Sequence, residues 1–428
     1  MKVLLCHNHY QQPGGEDQSF DDEARLLEAR GHTVLRFTLH NNVIPQMGRL
    51  RLAARTLWHG DVYRRLRDLL RAERPQVMHC TNTFPLISPA AYYAARRAGV
   101  PVVQSLRNYR LLCANSLFLR DGRACEECLG RKVQWPAIVH RCYRGELGAT
   151  AMVAAMVSAH RAVGTWRRAV DMYFTPSEFA RRKFIEGGFS PDRIAVKPNF
   201  VFPDPGVGAG ARGGAIFVGR LAPEKGIEVL LDAWLRHGLQ LPLRIIGDGP
   251  LAERVADACR RSDRIEWLGR RPLAEALSHI GDASLLVAPS ITYETFGRSV
   301  AEAFAKGTPV LVSDYGASAE LVTSGVSGLH FRSGDADDLA AKVRELTGDP
   351  TRLARMREPA RLEYVQKFNG DINYDRLMSI YDRAISFHGA PPSPSAVPQR
   401  AAGAITSASS FMAAAVETSV SLGACSGL

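Results

Sequence analysis

Two successive series of apolar, β-branched runs, separated by helical patterns, constrain this chain more than any other feature. The first series is Lys2–Cys6, Thr33–Leu39, Val77–Cys80, Val100–Ser105 and Met172–Pro176, with helical patterns over 17–30, 49–73, 88–98 and 148–170. The second is Ala215–Gly219, Leu243–Gly247, Ile265–Leu268, Leu285–Ala288 and Val310–Ser313, with helical patterns over 226–236, 251–260, 273–279 and 299–306. Continuous apolar strands joined through helices form parallel sheets covered on both faces. Two such series predict an α/β chain of two doubly wound domains. The Pro- and Gly-rich stretch from Pro198 to Gly214 is the predicted linker. The domain boundaries expected are 1–198, 199–370, a C-terminal helix over 371–388, and a tail over 389–428.

Length and charge narrow the function classes without choosing among them. A chain of 428 residues with 46% hydrophobic and 23% charged content supports two ordinary cores. The net charge of +11 favours anions: nucleotide phosphates, anionic lipid or nucleic acid. No nucleic-acid-binding module stands in the sequence, so nucleic acid is not an expected partner. The most apolar stretch, 147–159, is shorter than the ~20 residues that cross a bilayer. The first residues read as a strand and carry no secretory pattern, so a cytoplasmic setting is expected, with the eight cysteines as reduced thiols or metal ligands. The tail is rich in Pro, Ala, Ser and Gly, with Arg400 and Glu417 its charged residues, and is expected to be disordered.

The chemistry concentrates where strands end. Pro289 to Val310 reads strand end, Gly-bearing turn, helix start, the arrangement in which backbone amides and the helix dipole meet an anion. Glu294 and Glu302 flank that anion site, and carboxylates beside a phosphate call for hydroxyls as their own partners. A sugar-bearing nucleotide is the ligand that supplies both. Gly219-Arg220 and Lys225-Gly226 follow the first strand of the second series, where two cations can neutralise a departing diphosphate. An Arg and a Lys in a loop are ordinarily solvated charges; their position beside the Glu294–Glu302 segment favours function. Gly247-Asp248-Gly249 is alone only turn punctuation. Gly14-Gly15-Glu16-Asp17 opens the first helix and suits close approach of backbone to a phosphate; the alternative is a flexible loop with an acidic helix start.

Together, Glu294 and Glu302 with seven residues between them, and Gly219-Arg220 with Lys225-Gly226 as G-R-x-x-x-x-K-G, resemble the motifs of family-4 retaining glycosyltransferases (glycosyl transferases group 1). The resemblance runs from Met1 to about Phe387 and implies the GT-B architecture, two facing Rossmann-like domains with an interdomain cleft. It implies an acceptor-binding N-terminal domain, a donor-binding C-terminal domain and a final helix returning to the first. The implied reaction moves a sugar from a nucleotide-diphosphate sugar to a carbohydrate or lipid-linked acceptor. It retains anomeric configuration, needs no catalytic metal or other cofactor, and belongs to cell-surface polysaccharide biosynthesis. Arg220 and Lys225 would stabilise the leaving diphosphate, Glu294 would position the sugar, and Glu302 would bind ribose. The amides of Phe296, Gly297 and Arg298, and the backbone at Gly15, Gly219, Gly247 and Gly249, would shape the donor site. Glu16, Arg107 and His79 are candidate sugar or acceptor contacts. Arg107 departs from the family pattern, which carries His there, and a guanidinium cannot serve as a base at neutral pH. The alternatives are therefore an epimerase-like enzyme, or a nucleotide-sugar binder that has lost catalysis.

Two features lie outside that site. Cys113, Cys125, Cys128 and Cys142 form C-x11-C-x2-C-x13-C in a polar insertion over 113–143. A tetrahedral structural zinc and a set of unlinked thiols are the two readings, at even weight. The stretch 49–71 is basic, apolar-striped and contains Trp58, so it suits peripheral contact with an anionic membrane at its inner face or an amphipathic helix packed on its own sheet.

Overall fold

The computed structural model describes residues 1–389; beyond Gly389 the tail expected to be disordered lies outside the described residues. The first half supplies β1 (Lys2–His9), β2 (Thr33–His40), β3 (Val77–Asn82), β4 (Val102–Ser105), a small hairpin of β5 (Leu119–Arg120) and β6 (Arg123–Ala124), β7 (Met172–Thr175) and β8 (Ile194–Val196). The second supplies β9 (Ala215–Val218), β10 (Leu243–Ile246), β11 (Ile265–Gly269), β12 (Leu285–Ala288), β13 (Val310–Ser313) and β14 (Gly328–Phe331). They form two six-stranded sheets, ordered β2-β1-β3-β4-β7-β8 and β11-β10-β9-β12-β13-β14. Every pairing within both is parallel.

The fold is α/β of the GT-B kind, two Rossmann-like sheets with helices on both faces. Each sheet has an apolar layer on either side: Leu4, Met78 and Val102 look one way while Val3, Leu5 and Val103 look the other. The strand order locates the sites. In the first sheet the chain reverses direction of growth between β1 and β3, in the second between β9 and β12. The loops leaving such neighbouring strands diverge to opposite faces and leave a crevice at their carboxyl ends.

The helix Gly370–Phe387 belongs to the first sheet's packing although it ends the described chain. Asn369 caps it, accepting from the Ile372 amide at 2.9 Å. Leu377, Ile380, Tyr381 and Ala384 follow the i, i+3, i+4, i+7 spacing and join Val3, Leu5, Val103, Met172 and Phe174 in one core cluster.

Several local expectations change, among them the helix expected over 148–170, which ends at Ala162 and is followed by the short helix Thr165–Arg168. The helix expected over 49–73 is two helices, Arg49–Leu57 and Gly60–Glu73, broken at Trp58-His59. The cause is tertiary: His59 is drawn to the 86–88 turn, its Nδ1 2.6 Å from the Leu86 carbonyl and its amide donating to Ser88 Oγ at 3.0 Å. The edge strands β8 and β14 carry no strong apolar run and were not anticipated. The hairpin β5–β6 inside the insertion was not anticipated either, since two residues per strand leave no periodicity to read.

Candidate active site

The site forms where the loops after β9 and β12 meet. Chain geometry brings them together before any side chain does. Gly226 sits at φ +68°, and a Cβ there would stand 1.8 Å from the Pro289 carbonyl oxygen. A side chain at Gly247 would likewise meet the Gly219 carbonyl at 1.8 Å. Backbone bonds stitch the turns: Gly219 amide to Ile246 O at 3.0 Å, Leu221 amide to Asp248 O at 2.9 Å, Ile291 amide to Glu224 O at 3.1 Å. The glycines at 226, 247 and 249 are thus requirements of close approach.

On this platform Lys225 Nζ donates to Glu294 Oε1 at 2.5 Å, and Ser290 Oγ donates to the same oxygen at 2.8 Å. Arg220 pairs with Glu224 while its side chain stays 57% exposed, so its guanidinium can turn to a ligand. Phe296 is buried, its ring against Phe368, so it can offer a ligand only its backbone. Behind it, the helix Arg298–Ala305 opens with Arg298, whose Nε donates to Glu302 Oε1 at 3.0 Å and whose Nη2 donates to Asp22 Oδ2 at 2.6 Å. Burial raises the Glu302 carboxyl pKa, an effect the Arg298 charge partly opposes. Burial pulls Arg298 down, but the Glu302 and Asp22 charges outweigh it and leave its pKa raised.

The first half reaches the same loop from across the crevice. Thr295 Oγ1 donates to the Arg107 carbonyl at 2.8 Å, Ser177 Oγ to the Thr295 carbonyl at 2.8 Å, and Tyr109 Oη to the Glu294 carbonyl at 3.4 Å. Glu320 accepts from the amides of Glu178 and Phe179 at 2.7 and 2.6 Å, at the start of the helix Glu178–Glu186. Gly15 begins the helix that carries Asp22. Glu16 is bound on its own side, accepting from Asn108 Nδ2 at 2.6 Å and Tyr10 Oη at 3.0 Å.

Two expected sugar contacts are corrected. The Arg107 guanidinium is buried and held within the protein, where Nη1 binds Asn199 and Nη2 donates to Glu23 Oε1 at 2.7 Å. Glu23 also accepts from the buried Lys197 Nζ at 2.8 Å. Burial pushes the Glu23 carboxyl up, but Lys197, Arg107 and His79 overcome it and hold it down at about 2. His79 is fully buried with Nδ1 2.9 Å from Tyr381 Oη, and burial lowers its pKa to about 4, so it is a neutral interior residue. Both side chains are occupied by structure: Arg107, with Lys197, supplies the charge that the buried Glu23 needs, and neutral His79 bonds Tyr381.

Several members of the site escaped sequence reading. Thr295 and Asp22 act through partners far away in the chain, Asp22 and Arg298 being 276 positions apart, while Ser290 bonds Glu294 four positions on. Asp17 had a local signal as the acidic start of a helix, yet it also gathers His7 Nε2 at 3.0 Å, His9 Nδ1 at 3.2 Å and the Tyr10 amide at 3.2 Å on Oδ1. Among the described residues, His7, His9 and Asp17 form the one group of metal-ligand atoms lying within 4.8 Å of one another. The four insertion cysteines are free thiols, set wider than that.

Two family models match: a glycosyl transferase 4-like domain over residues 14–199 and glycosyl transferases group 1 over 212–363. The chain belongs to the group 1 glycosyltransferases. A GDP-mannose-dependent alpha-mannosyltransferase of Corynebacterium glutamicum is 26% identical over 291 residues, 68% of this chain and 63% of that protein. A D-inositol 3-phosphate glycosyltransferase of Mycolicibacterium smegmatis is 33% identical over 193 residues, 42% of each chain. The chain thus spans less than two thirds of either curated relative. The HepE protein of Anabaena, solved in complex with UDP and glucose, is similar in fold with TM-score 0.64 at 19% identity, covering 89% of this chain and 100% of that one. This glycosyltransferase has no helix, among the described residues, long and apolar enough to cross a membrane.

Proposed function

We propose that the chain transfers a sugar from a nucleotide-diphosphate sugar to a carbohydrate or lipid-linked acceptor, with retention of configuration, in the assembly of cell-surface polysaccharide. The observation that carries this reading is the Lys225–Glu294 pair at the β9/β12 crevice, with the free end of Arg220 beside it and a helix start behind. A donor diphosphate would replace the carboxylate as the partner of Lys225 and take Arg220 as a second cation. The bond from the sugar's anomeric carbon to the phosphate oxygen breaks as the acceptor oxygen bonds on the same face. The acceptor proton passes to the departing phosphate, so no side-chain base is needed. Glu294, released from Lys225, faces the positive charge that develops on the sugar ring. Fixed cations and amides aimed at a forming charge act without reorganising, which is the larger part of such catalysis. No metal is required by this scheme.

The nucleotide-sugar donor is supported by the mannosyltransferase relative, whose name specifies GDP-mannose, and by the HepE complex with UDP. For the acceptor, the first half offers an open pocket lined by Thr81, Asn82, Phe84, Gln104, Asn108 and Arg110. Hydroxyls, amides and an aromatic face are the groups that hold a carbohydrate. The test is a panel of nucleotide sugars scored by thermal shift, then assayed for hydrolysis and transfer, with the anomeric proton of the product read by NMR. One sugar nucleotide should shift melting and be turned over with retention. A product of inverted configuration, or no shift from any donor, defeats the proposal.

A second reading, a nucleotide-sugar binder without transfer, is favoured by one observation: the Arg107 guanidinium is already committed to Glu23 and Asn199. A thermal shift with no turnover in the same panel selects it.

A further inference from the structure

We propose that the segment from Val43 to Trp58 is a docking surface for anionic membrane and holds the enzyme beside a lipid-borne acceptor. The break at Trp58-His59 divides the basic stretch into two helices with opposite habits. The helix Gly60–Glu73 buries Val62, Leu66 and Leu70 in the core of the first sheet, as a helix packed on its own domain does. The helix Arg49–Leu57 buries Thr56 alone.

An ordinary surface helix sets its apolar stripe inward. The helix Arg49–Leu57 sets its stripe outward. At about 100° per residue, Leu50 and Leu57 share one face with Ala53 and Ala54, while Leu52 and Thr56 lie on the other side. Thr56 is the residue turned into the protein, and Leu50 is 88% and Leu57 41% exposed. Among the described residues Leu50 is the most exposed large apolar side chain. Trp58 follows at 43%, its ring 5.7 Å from that of Tyr63 and 5.4 Å from that of Tyr93, and Val43 precedes at 47%. Scattered apolar residues need no explanation, but several in one short segment mark a contact surface. Trp and Tyr rings suit a boundary that is apolar on one side and wet on the other.

Charge selects the partner. Arg49 and Arg51 lie to either side of Leu50 on the helix, and Arg55 is one turn beyond Arg51. None of the three is ion-paired among the described residues; Arg55 Nη1 has Met47 Sδ at 3.9 Å. No acidic residue occurs between Arg30 and Asp61, and Asp61 is itself paired with Arg64 at 2.7 Å. An apolar strip rimmed by unpaired guanidinium groups matches the acyl boundary and the phosphates of an anionic leaflet. A second copy seated on the same face would set arginines against arginines, which like-charge repulsion opposes.

The inner side of this helix meets the pocket of the first half. Thr56 lines that pocket with Thr81, Asn82 and Arg110. His160 Nε2 lies 2.9 Å from the Leu57 carbonyl and ties the helix end to the helix Leu147–Ala162. With the stripe on the leaflet, the pocket stands about one helix diameter, ~10 Å, from the headgroups. The use of that closeness by a lipid-linked acceptor rests on the proposed function; the membrane contact does not.

The full-length protein is sedimented with phosphatidylcholine vesicles, with or without about 30% phosphatidylglycerol. Binding is expected on the anionic vesicles alone and should weaken as salt rises; this measurement on the wild type needs no variant to fold. Replacing Arg49, Arg51 and Arg55 together by Gln should lower the partition coefficient about 100-fold, near 5-fold for each charge. Leu50→Ser combined with Leu57→Ser should lower it about tenfold. Leu362→Ser, at a residue of the second half that is 50% exposed, should leave it unchanged. Equal binding to both vesicle types, binding to neither, or wild-type binding by the double leucine variant overturns the proposal. So does a dimer in sedimentation velocity that the leucine variant abolishes, since a second copy is then the occupant. Vesicle binding kept by Lys225→Ala while transfer is lost separates this result from the fate of the proposed reaction.

Discussion

Lys225 and Glu294 bind each other, and each has a role in the proposed transfer that the other cannot fill. Their mutual pair is partly exposed, so it contributes only about 0–1 kcal/mol to stability. Lys225→Ala should therefore leave the melting temperature nearly unchanged while lowering kcat/KM by about 10²–10³-fold, the loss seen when one charge-stabilising donor is removed. Steady-state kinetics beside calorimetry checks this, and an inactive but unfolded variant does not meet it. Glu23 makes the opposite case, a carboxylate whose business is structural. Glu23→Gln leaves Arg107 and Lys197 buried without their counter-charge and should cost about 3–5 kcal/mol in denaturant unfolding. The same cluster sets an acid limit. Glu23 is held near 2 against an ordinary 4.5, so its contribution is present above 4.5 and is lost as pH falls toward 2. Neutral His79, at about 4 against 6.5, loses its contribution as pH falls from 6.5 toward 4. The raised Glu302 carboxyl works the other way, gaining relative stability on protonation. The melting temperature should fall through both windows, and Glu23→Gln should flatten the lower one.

At the scale of elements, the turns after β9 and β10 and the last helix do the positioning. Gly226→Ala places a methyl group on the Pro289 carbonyl at a left-handed position. The backbone term alone is about 1–3 kcal/mol, and the steric clash should part the 219–226 and 289–294 loops. Thermal melting and donor affinity should both suffer; a variant with native affinity would show that the loops do not depend on that contact. The helix Gly370–Phe387 is bound chiefly by burial. Tyr381 is fully buried at its centre, and its hydroxyl meets His79. Tyr381→Ala should cost about 3–5 kcal/mol, while Tyr381→Phe, which leaves the ring, should cost about 1 kcal/mol. Equal losses in the two would assign the helix's hold to the hydrogen bond instead of the ring.

In the whole molecule, the two halves meet through polar contacts, among them Asp22 with Arg298, Glu320 at the 178–186 helix start and Thr295 with the Arg107 carbonyl, and through Tyr293 packed on Phe118 and Phe179. The variant carrying both Asp22→Asn and Glu320→Gln should have a larger radius of gyration in small-angle scattering; an unchanged curve would mean other contacts hold the halves together. What could be read beforehand follows from this division. Parallel strands are buried on both faces, so β1, β3, β9, β10, β12 and β13 announce themselves as apolar runs, and glycines that admit a neighbouring backbone stand beside them at fixed offsets. The meeting of Lys225 with Glu294 could be anticipated because local motif and strand end coincide at both. β8 is three residues long and β14 interrupts its apolar residues with Gly328 and His330, so neither gave such a signal. Arg107 and His79 were misplaced for a related reason: sequence gives the strand end at which a side chain starts, and only the packed interior decides which way it turns. Glu23, Lys197 and Asn199, distant in the chain, meet Arg107 because folding stacks their elements, and a buried carboxylate then claims every cation within reach. Composition, periodicity and local motif determined two parallel sheets and the strand-end loops at which Lys225 and Glu294 meet. Tertiary packing alone decided which charges face a ligand and which face one another, since that choice is governed by burial and by distances no local pattern encodes.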